Sequence, residues 1–539
     1  MADKQFEPSE IGIKEAKEIV QTAGARGQEQ RLYYANDHWQ NGNAWIGPAP
    51  SEKSSDAAAV MALIKRQFTW RNAVREIVDR HIGSVFGAQP HWKLSTRRPL
   101  GEDEQPTAEE QALIDEGEAL LTDWLDERLA PHNYEEDESD PVSEAIASSL
   151  LGGRGVLRLF VPPALLTESE GGALRLPSMT LEEAFEAIYL HEPDVEQAAL
   201  YLHRRSQQHA GLYLYTEDKK ELAEITYRGE GGQTVLRAMG PEGASEVTLD
   251  LGGRLLMHEL RRPQLIGDSV CSQQRLLNMA LTMGGRNVVL GGFLERVLLN
   301  AQLPGAYVEQ SDGSRKFVPD AFKTGAGVTN SIVGVRYQDA QGNEQIAMPG
   351  MLRFDPVPMQ TFEDAERIAY TAMLEETHQL HYLLSGDATA SGVSRQQATA
   401  AFEQSLRLTA RPTERAWRWL LETVLALAAL FSGQAGRYKE LRVYAEARID
   451  PGVDDPEMMR VVREMVDAEL MSQEQGMSRI GIHDVDAEMQ RIEAERSARG
   501  GQAVATVDEA DPAGEIEALL GGGDAAGAGL ETGGQDGEG

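Results

Sequence analysis

The chain has 539 residues, 41% of them hydrophobic and 25% charged, so about three to five structural units with sizeable cores are expected and wholesale disorder is excluded. Its 86 acidic against 51 basic side chains give a formal net charge of −35, the reverse of the Lys/Arg excess that displaces counterions from phosphates. Tight, sequence-specific DNA binding is thereby excluded, whereas an acidic channel wall that repels a passing duplex is not.

From Ser54 to Val85 the apolar residues Val60, Leu63, Ile64, Phe68, Val74, Ile77, Val78 and Ile82 recur at three and four, which predicts one amphipathic helix. A polar, proline-bearing stretch from Leu94 to Pro106 precedes a second helix carrying Leu113, Leu121, Trp124 and Leu125, which Pro131 stops. A third helix is expected to start at Asp140, with Pro141 in its first position, and to end before the glycines at 152, 153 and 155. The run VLRLFV then reads as a strand. Between Ala198 and Glu259 five short runs (AALYLHR, GLYLYTE, ELAEITYR, TVLRAM and EVTLDL) are separated by turn residues and predict an antiparallel sheet.

Helical character resumes after the connector 263–268, with the glycine pairs 284–285 and 291–292 marking kinks or close packing of neighbours. An insert from Leu303 to Pro358, with turn signals at Asp312–Gly313 and Gly342–Asn343, reads as a small α/β or β lobe. A helix from Gln360 breaks at Ser385–Gly392, and a long helix from Val393 to Phe431 is interrupted only at Pro412. Residues 456–497 read as helical with a central break, and everything beyond Arg499, lacking Lys and Arg, reads as a disordered acidic tail.

The familiar enzyme signatures are missing. The chain contains no Gly-Lys dipeptide and hence no Walker A loop, and it has no G-x-G-x-x-G between strand and helix, no H-E-x-x-H and no G-x-S-x-G. Cys271, the single cysteine, excludes an intrachain disulfide and multi-cysteine metal sites, and reads as a buried small residue in preference to a nucleophile. Glu375, His378 and His381 at i, i+3 and i+6 are the one metal-ligand candidate, weighed against solvated or inter-subunit polar positions. Trp417 and Trp419 fit anchoring in a packed helix interface better than base stacking. The charged N-terminal stretch and the absence of an 18-residue apolar run predict neither secretion nor membrane insertion.

The order of these parts resembles a portal protein of tailed bacteriophages, of the siphovirus type. The likeness is carried by IYLHEPDVEQAALYLHRR…GLYLYTEDKKELAEITYR, which resembles the paired wing strands, and by ELRRPQLIGDSVCSQQRLLNMALT, which looks like the lead into a first stem helix. SGDATASGVSRQQATAAFEQSL is similar to a tunnel loop opening a long wing helix, and ELMSQEQGMSRIGIHDVDAEMQRIEAE resembles a helical crown. The resemblance implies an α+β, predominantly helical subunit divided into an N-terminal segment (1–56), wing (57–267), first stem helix (268–302), clip insert (303–358), second stem helix (359–384), tunnel loop (385–392), long wing helix and following strand (393–450), crown (451–499) and acidic tail (500–539).

It further implies a ring, of twelve subunits, at one capsid vertex of a virion, assembled in the host cytoplasm, through which double-stranded DNA is packaged and ejected. Its partners would be terminase, major capsid protein, scaffold and a head-completion adaptor. No enzyme activity, catalytic residue, cofactor, metal or membrane contact is expected. By position, Gly386, Asp387, Ala388, Thr389, Ala390, Ser391 and Gly392 would face the DNA, and Arg315, Lys316 and Lys323 would meet terminase or adaptor. Two other classes compete: a metal-dependent hydrolase built on Glu375, His378 and His381, and a non-portal scaffold or adaptor without a DNA-sized channel.

Overall fold

The computed structural model describes residues 6–39, 57–87, 90–99, 105–129, 140–162, 179–320, 332–385 and 392–449 with a few single positions and short turns omitted, together with 167–168, 174–175 and, as a separate unit, most of 456–477. The fold is α+β and predominantly helical. Helices α1 (Ile13–Gly24) and α2 (Gln28–Tyr34) lead to α3 (Ala57–Arg66) and α4 (Ala73–Phe86). The last two correct the single helix expected over 54–85. Asn72 caps α4 by accepting from Arg75 N at 2.9 Å, and the backbone between the helices bonds elsewhere: Thr69 N donates to Thr282 Oγ1 at 3.1 Å, and Gln274 Nε2 donates to Arg71 O at 2.7 Å.

β1 (His91–Thr96) falls where only a polar stretch was read, and α5 (Ala108–Leu129) follows. α6 (Pro141–Gly152) begins as predicted: Asp140 Oδ1 accepts from Val142 N and Ser143 N, both at 2.9 Å, and proline occupies the first turn, where its missing N–H costs nothing. Gly153 ends that helix at φ 82°, and β2 (Arg154–Phe160) departs so close to α6 that a Cβ on Gly155 would collide with Ala145 O. A two-residue pair, β3 (Thr167–Glu168) with β4 (Leu174–Arg175), comes next. α7 (Leu181–Glu186) opens on a capping box, Thr180 with Glu183, and β5 (Tyr189–His191) follows.

The five runs expected as strands are β6 (Ala198–Leu202), β7 (His209–Glu217), β8 (Lys220–Arg228), β9 (Thr234–Gly240) and β10 (Gly243–Leu249), an antiparallel meander in order β10-β9-β8-β7-β6. The period-2 alternation divides its faces. Ala223, Ile225 and Tyr227 join Ala16 and Val20 of α1 in one small core, while Glu224 and Thr226 turn to the other side. β11 (Met257–Arg261) then pairs with β2, and β2 with β5, all antiparallel.

α8 (Asp268–Gly292) is one long helix, ending well before the stem boundary expected at 302. A β lobe occupies the insert and begins earlier than expected: β12 (Arg296–Leu299) pairs with β19 (Gly350–Arg353), β13 (Ala301–Gln302) with β16 (Val333–Gly334), β14 (Gly305–Glu309) with β15 (Arg315–Pro319), and β17 (Arg336–Gln338) with β18 (Glu344–Ile346). α9 (Met359–Glu376) returns, followed by the short α10 (His381–Ser385) and the forty-residue α11 (Gly392–Phe431). Pro412 does not interrupt α11: it removes one internal N–H, and Thr413 Oγ1 donates to Thr409 O at 2.9 Å across the same turn. β20 (Leu441–Glu446) pairs with β1, and α12 (Pro456–Asp467) lies in the separate unit.

The main core gathers on the C-terminal half of α11. Trp417, Leu420, Leu421, Val424 and Ala428 are fully buried against Val74 and Ile77 of α4, Leu121 of α5, Ile146 and Leu150 of α6 and Leu157 of β2. A helix apolar around much of its circumference has to be surrounded, and α11 is.

Glu192, after β5, carries a strongly perturbed carboxyl. Burial above all, then the charge of Glu144, pushes it up to about 8, although Ser148 Oγ donates to it at 3.1 Å. A carboxyl whose folded pKa exceeds its unfolded one makes the native state bind more protons, so stability falls as pH rises from about 4.5 to about 8. Glu192→Gln is expected to flatten that slope and to stabilise the chain on the order of 2 kcal/mol above pH 8, with no gain below pH 4.5; urea midpoints across pH read this directly.

Candidate functional site: a helical arm and its exposed β lobe

α8 and α9 pack as an antiparallel hairpin. Ser269 Oγ near the start of α8 donates to Glu376 at the end of α9, and Gly284 lets Phe362 approach until an added Cβ would stand 3.4 Å from the Phe362 Cβ. At the far end Asn287 clasps the backbone of Val357, its Nδ2 donating to the carbonyl at 2.7 Å and its Oδ1 accepting the amide at 3.0 Å. The root of α8 is held by buried polar side chains spaced by four. Gln274 Nε2 donates to Asn278 Oδ1 at 2.9 Å, Asn278 meets His38 Nδ1 at 3.0 Å, and Thr282 Oγ1 donates to Thr69 O at 3.0 Å.

Apolar side chains face solvent along the hairpin: Ile368 on α9 level with the root, and further out Val288 and Val289 on α8 and Met359 on α9. In the lobe none of the described residues from 299 to 350 is buried. Tyr307 is 71% exposed and Met348 88%, and Val308, Val318, Val333 and Ile346 are exposed as well. Ladder hydrogen bonds and an edge-on ring pair, Tyr307 with Phe317 at 5.3 Å, hold hairpins with no buried residue beneath them among the described residues. Isolated hairpins are marginal in water.

The expected contact residues fall unevenly. Arg315 and Lys316 lie on β15, exposed beside the turn that closes the β14–β15 hairpin, where Arg315 Nε stands 3.6 Å from Glu309 Oε1 in a solvent-screened pair. Lys323 and residues 386–391 lie outside the described residues, and Gly392 opens α11. The segment leading to that loop is anchored to α4. Gln379 Nε2 donates to Ile77 O at 2.8 Å, Arg80 Nη1 donates to Gln379 Oε1 at 2.6 Å, the Arg80 guanidinium lies 3.9 Å over the Tyr382 ring, and His381 stacks on Phe402 at 4.4 Å.

The metal candidate does not assemble. α9 ends at Glu376, His378 takes a left-handed conformation at φ 60°, and His381 is buried on Phe402, so the three side chains share no helix face. Among the described residues no cluster of three His, Cys, Asp or Glu could hold a metal ion. Cys271 is buried, its thiol pushed up to about 12 foremost by desolvation, and at neutral pH it is not a thiolate. Trp417 is buried in the core, and Trp419 stacks on His258 at 5.3 Å while donating to Leu255 O at 2.8 Å. No helix among the described residues is long and apolar enough to cross a membrane.

Two features escaped the sequence reading. The polar ladder of α8 carries a signal, the four-residue spacing of Gln274, Asn278 and Thr282. The exposure of the lobe carries none, because its strands alternate as buried ones would.

No protein-family model matches this sequence, and no curated protein matches it. Among solved structures, it is similar to a chain of the neck of a native GTA particle computed with C12 symmetry, at 14% identity and a TM-score of 0.34, covering 86% of this chain and 98% of that one. A chain of the neck of an empty GTA particle computed with C6 symmetry aligns at 14% identity and a TM-score of 0.32, over 80% and 94% of the two chains. A chain from the virion of a native gene transfer agent particle aligns at 14% and 0.32, over 85% and 99%. TM-scores this low carry no weight for function.

Proposed function

We propose that this chain is a ring-forming structural subunit of a phage-like particle, and specifically a portal: a conduit for double-stranded DNA with no chemistry of its own. The observation that carries the reading is the helical hairpin tipped by a β lobe with no buried residue among those described from 299 to 350, both bearing exposed apolar side chains. In a closed ring each copy covers its neighbour's apolar face through one head-to-tail contact, and its repetition around the ring satisfies every lobe. The resemblance in the order of parts supplies the number twelve and the docking partners: terminase, capsid protein, scaffold and adaptor. The net charge of −35 supports a wall that keeps DNA mobile, and Arg315 and Lys316 at the lobe's edge suit an acidic partner surface.

Native mass spectrometry with negative-stain imaging tests it. Twelve copies of a 59.1 kDa chain give roughly 0.7 MDa, with an axial hole wide enough for a duplex. A closed particle without such a hole would favour the scaffold reading, and a monomer that neither capsid nor scaffold protein converts to rings would sink the proposal. Ile368→Glu, on the exposed face of α9, is expected to leave the urea midpoint of the isolated chain within about 0.5 kcal/mol of wild type while cutting ring yield at least about tenfold.

A further inference from the structure

Between the meander, β2 and the C-terminal end of α11 lies a cavity of about 150 Å3, remote in sequence from the arm. Its walls are apolar: Leu159 from β2, Leu236 from β9, Leu249 from β10 and Phe431 from α11. At one side stand Arg158 and Glu224, already satisfied by each other, with Arg158 Nε donating to Glu224 Oε2 at 3.1 Å and the guanidinium lying over the rings of Phe160 and Tyr213 at 4.6 and 4.3 Å. One polar group on this wall is unmet. Thr226, 3% exposed, points from the same face of β8 as Glu224, and its hydroxyl has no hydrogen-bond partner among the described residues.

These facts select an occupant. A buried water needs two to four polar partners, and a mainly apolar wall with one buried unmet hydroxyl, that of Thr226, holds water poorly, whereas apolar cavities of this size take up benzene-sized molecules. A buried hydroxyl without a partner is costly, so an occupant that also reaches Thr226 gains over one that does not. We propose that the cavity is a binding site for a small neutral aromatic molecule of the phenol class, its ring against the leucine walls and its hydroxyl paired with Thr226 Oγ1. A bound ring would bridge the meander to α11 across this gap. The inference goes beyond the ring-forming role and does not depend on it, since occupancy is read per chain.

Saturation-transfer NMR on the full-length protein, with phenol and benzene as the probes, tests it. Both are expected to receive saturation and to displace one another, with phenol about three- to tenfold tighter. Ala238→Phe, which fills the cavity from β9, is expected to abolish transfer to both. Thr226→Val keeps the shape and removes the hydroxyl; it is expected to leave benzene binding unchanged and to erase the preference for phenol. No transfer at millimolar probe, transfer that survives in a folded Ala238→Phe protein, or a phenol preference that persists in Thr226→Val would each overturn the site. If Ala238→Phe does not fold, by circular dichroism, the Thr226→Val comparison decides alone.

Discussion

Replacing Glu259 with glutamine is expected to lower the folding free energy by about 3–5 kcal/mol, seen as a large drop in the urea midpoint. Glu259 sits on β11 with its carboxylate almost entirely buried, and three elements converge on it. Arg154 Nε of β2 lies 3.1 Å from Oε1, Leu200 N of β6 donates to Oε2 at 3.2 Å, and Arg261 Nη2 donates to Oε2 at 3.0 Å. Arg154 is equally buried, and desolvation holds its pKa below the usual arginine value against the pull of Glu259. Taking away the negative charge leaves two arginines facing one neutral amide, one of them out of water. Since the same carboxylate joins the three-stranded sheet to the meander, the loss reaches both. The pairing of Arg154→Met with Glu259→Leu is expected to recover much of the deficit, because two apolar groups of similar volume remove the stranded cation as well. Equal midpoints for wild type and Glu259→Gln would refute this account.

What was legible in the sequence was what local chemistry decides. Asp140 followed by Pro141 states a helix start on its own, and the alternation in GLYLYTE and ELAEITYR, cut by turn residues, states a meander. What was illegible depends on partners far along the chain. The periodicity from Val60 to Ile82 contains no breaker, yet the helix stops because Gln274 and Thr282, about two hundred residues on, take the backbone groups of residues 69–74. β1 was missed for the same reason: its one strand partner, β20, begins at Leu441. Pro412 misled in the opposite direction, since a proline signals an end only where neighbouring packing lets the helix end.

The site divides along the same line. That the insert contains strands could be read from SIVGVRYQD and its turn glycines, but exposure is a property of what surrounds a strand, and among the described residues none buries these strands. The spacing of Glu375, His378 and His381 presumed a continuous helix. Thr377 ends it: its Oγ1 donates back to Met373 O at 2.8 Å, and His378 then turns left-handed.

Trp417→Ala is expected to cost about 3–5 kcal/mol, the range for emptying a large aromatic site in a packed core. The side chain is fully buried on the central helix α11, edge-on to Phe86 of α4 with ring centroids 5.6 Å apart, so its loss opens a void between the two helices that the anchored segment before α11 also depends on. Phenylalanine at the same position separates volume from polarity. The indole Nε1 has no hydrogen-bond partner among the described residues, so Trp417→Phe removes a buried donor that bonds to nothing while keeping most of the ring. Its expected cost is therefore no more than about 1–2 kcal/mol, far below that of alanine. Urea unfolding followed by far-ultraviolet circular dichroism compares the two. A phenylalanine variant as unstable as the alanine one would mean that the indole donor makes a bond and that polarity at this site, more than volume, holds α11 against α4.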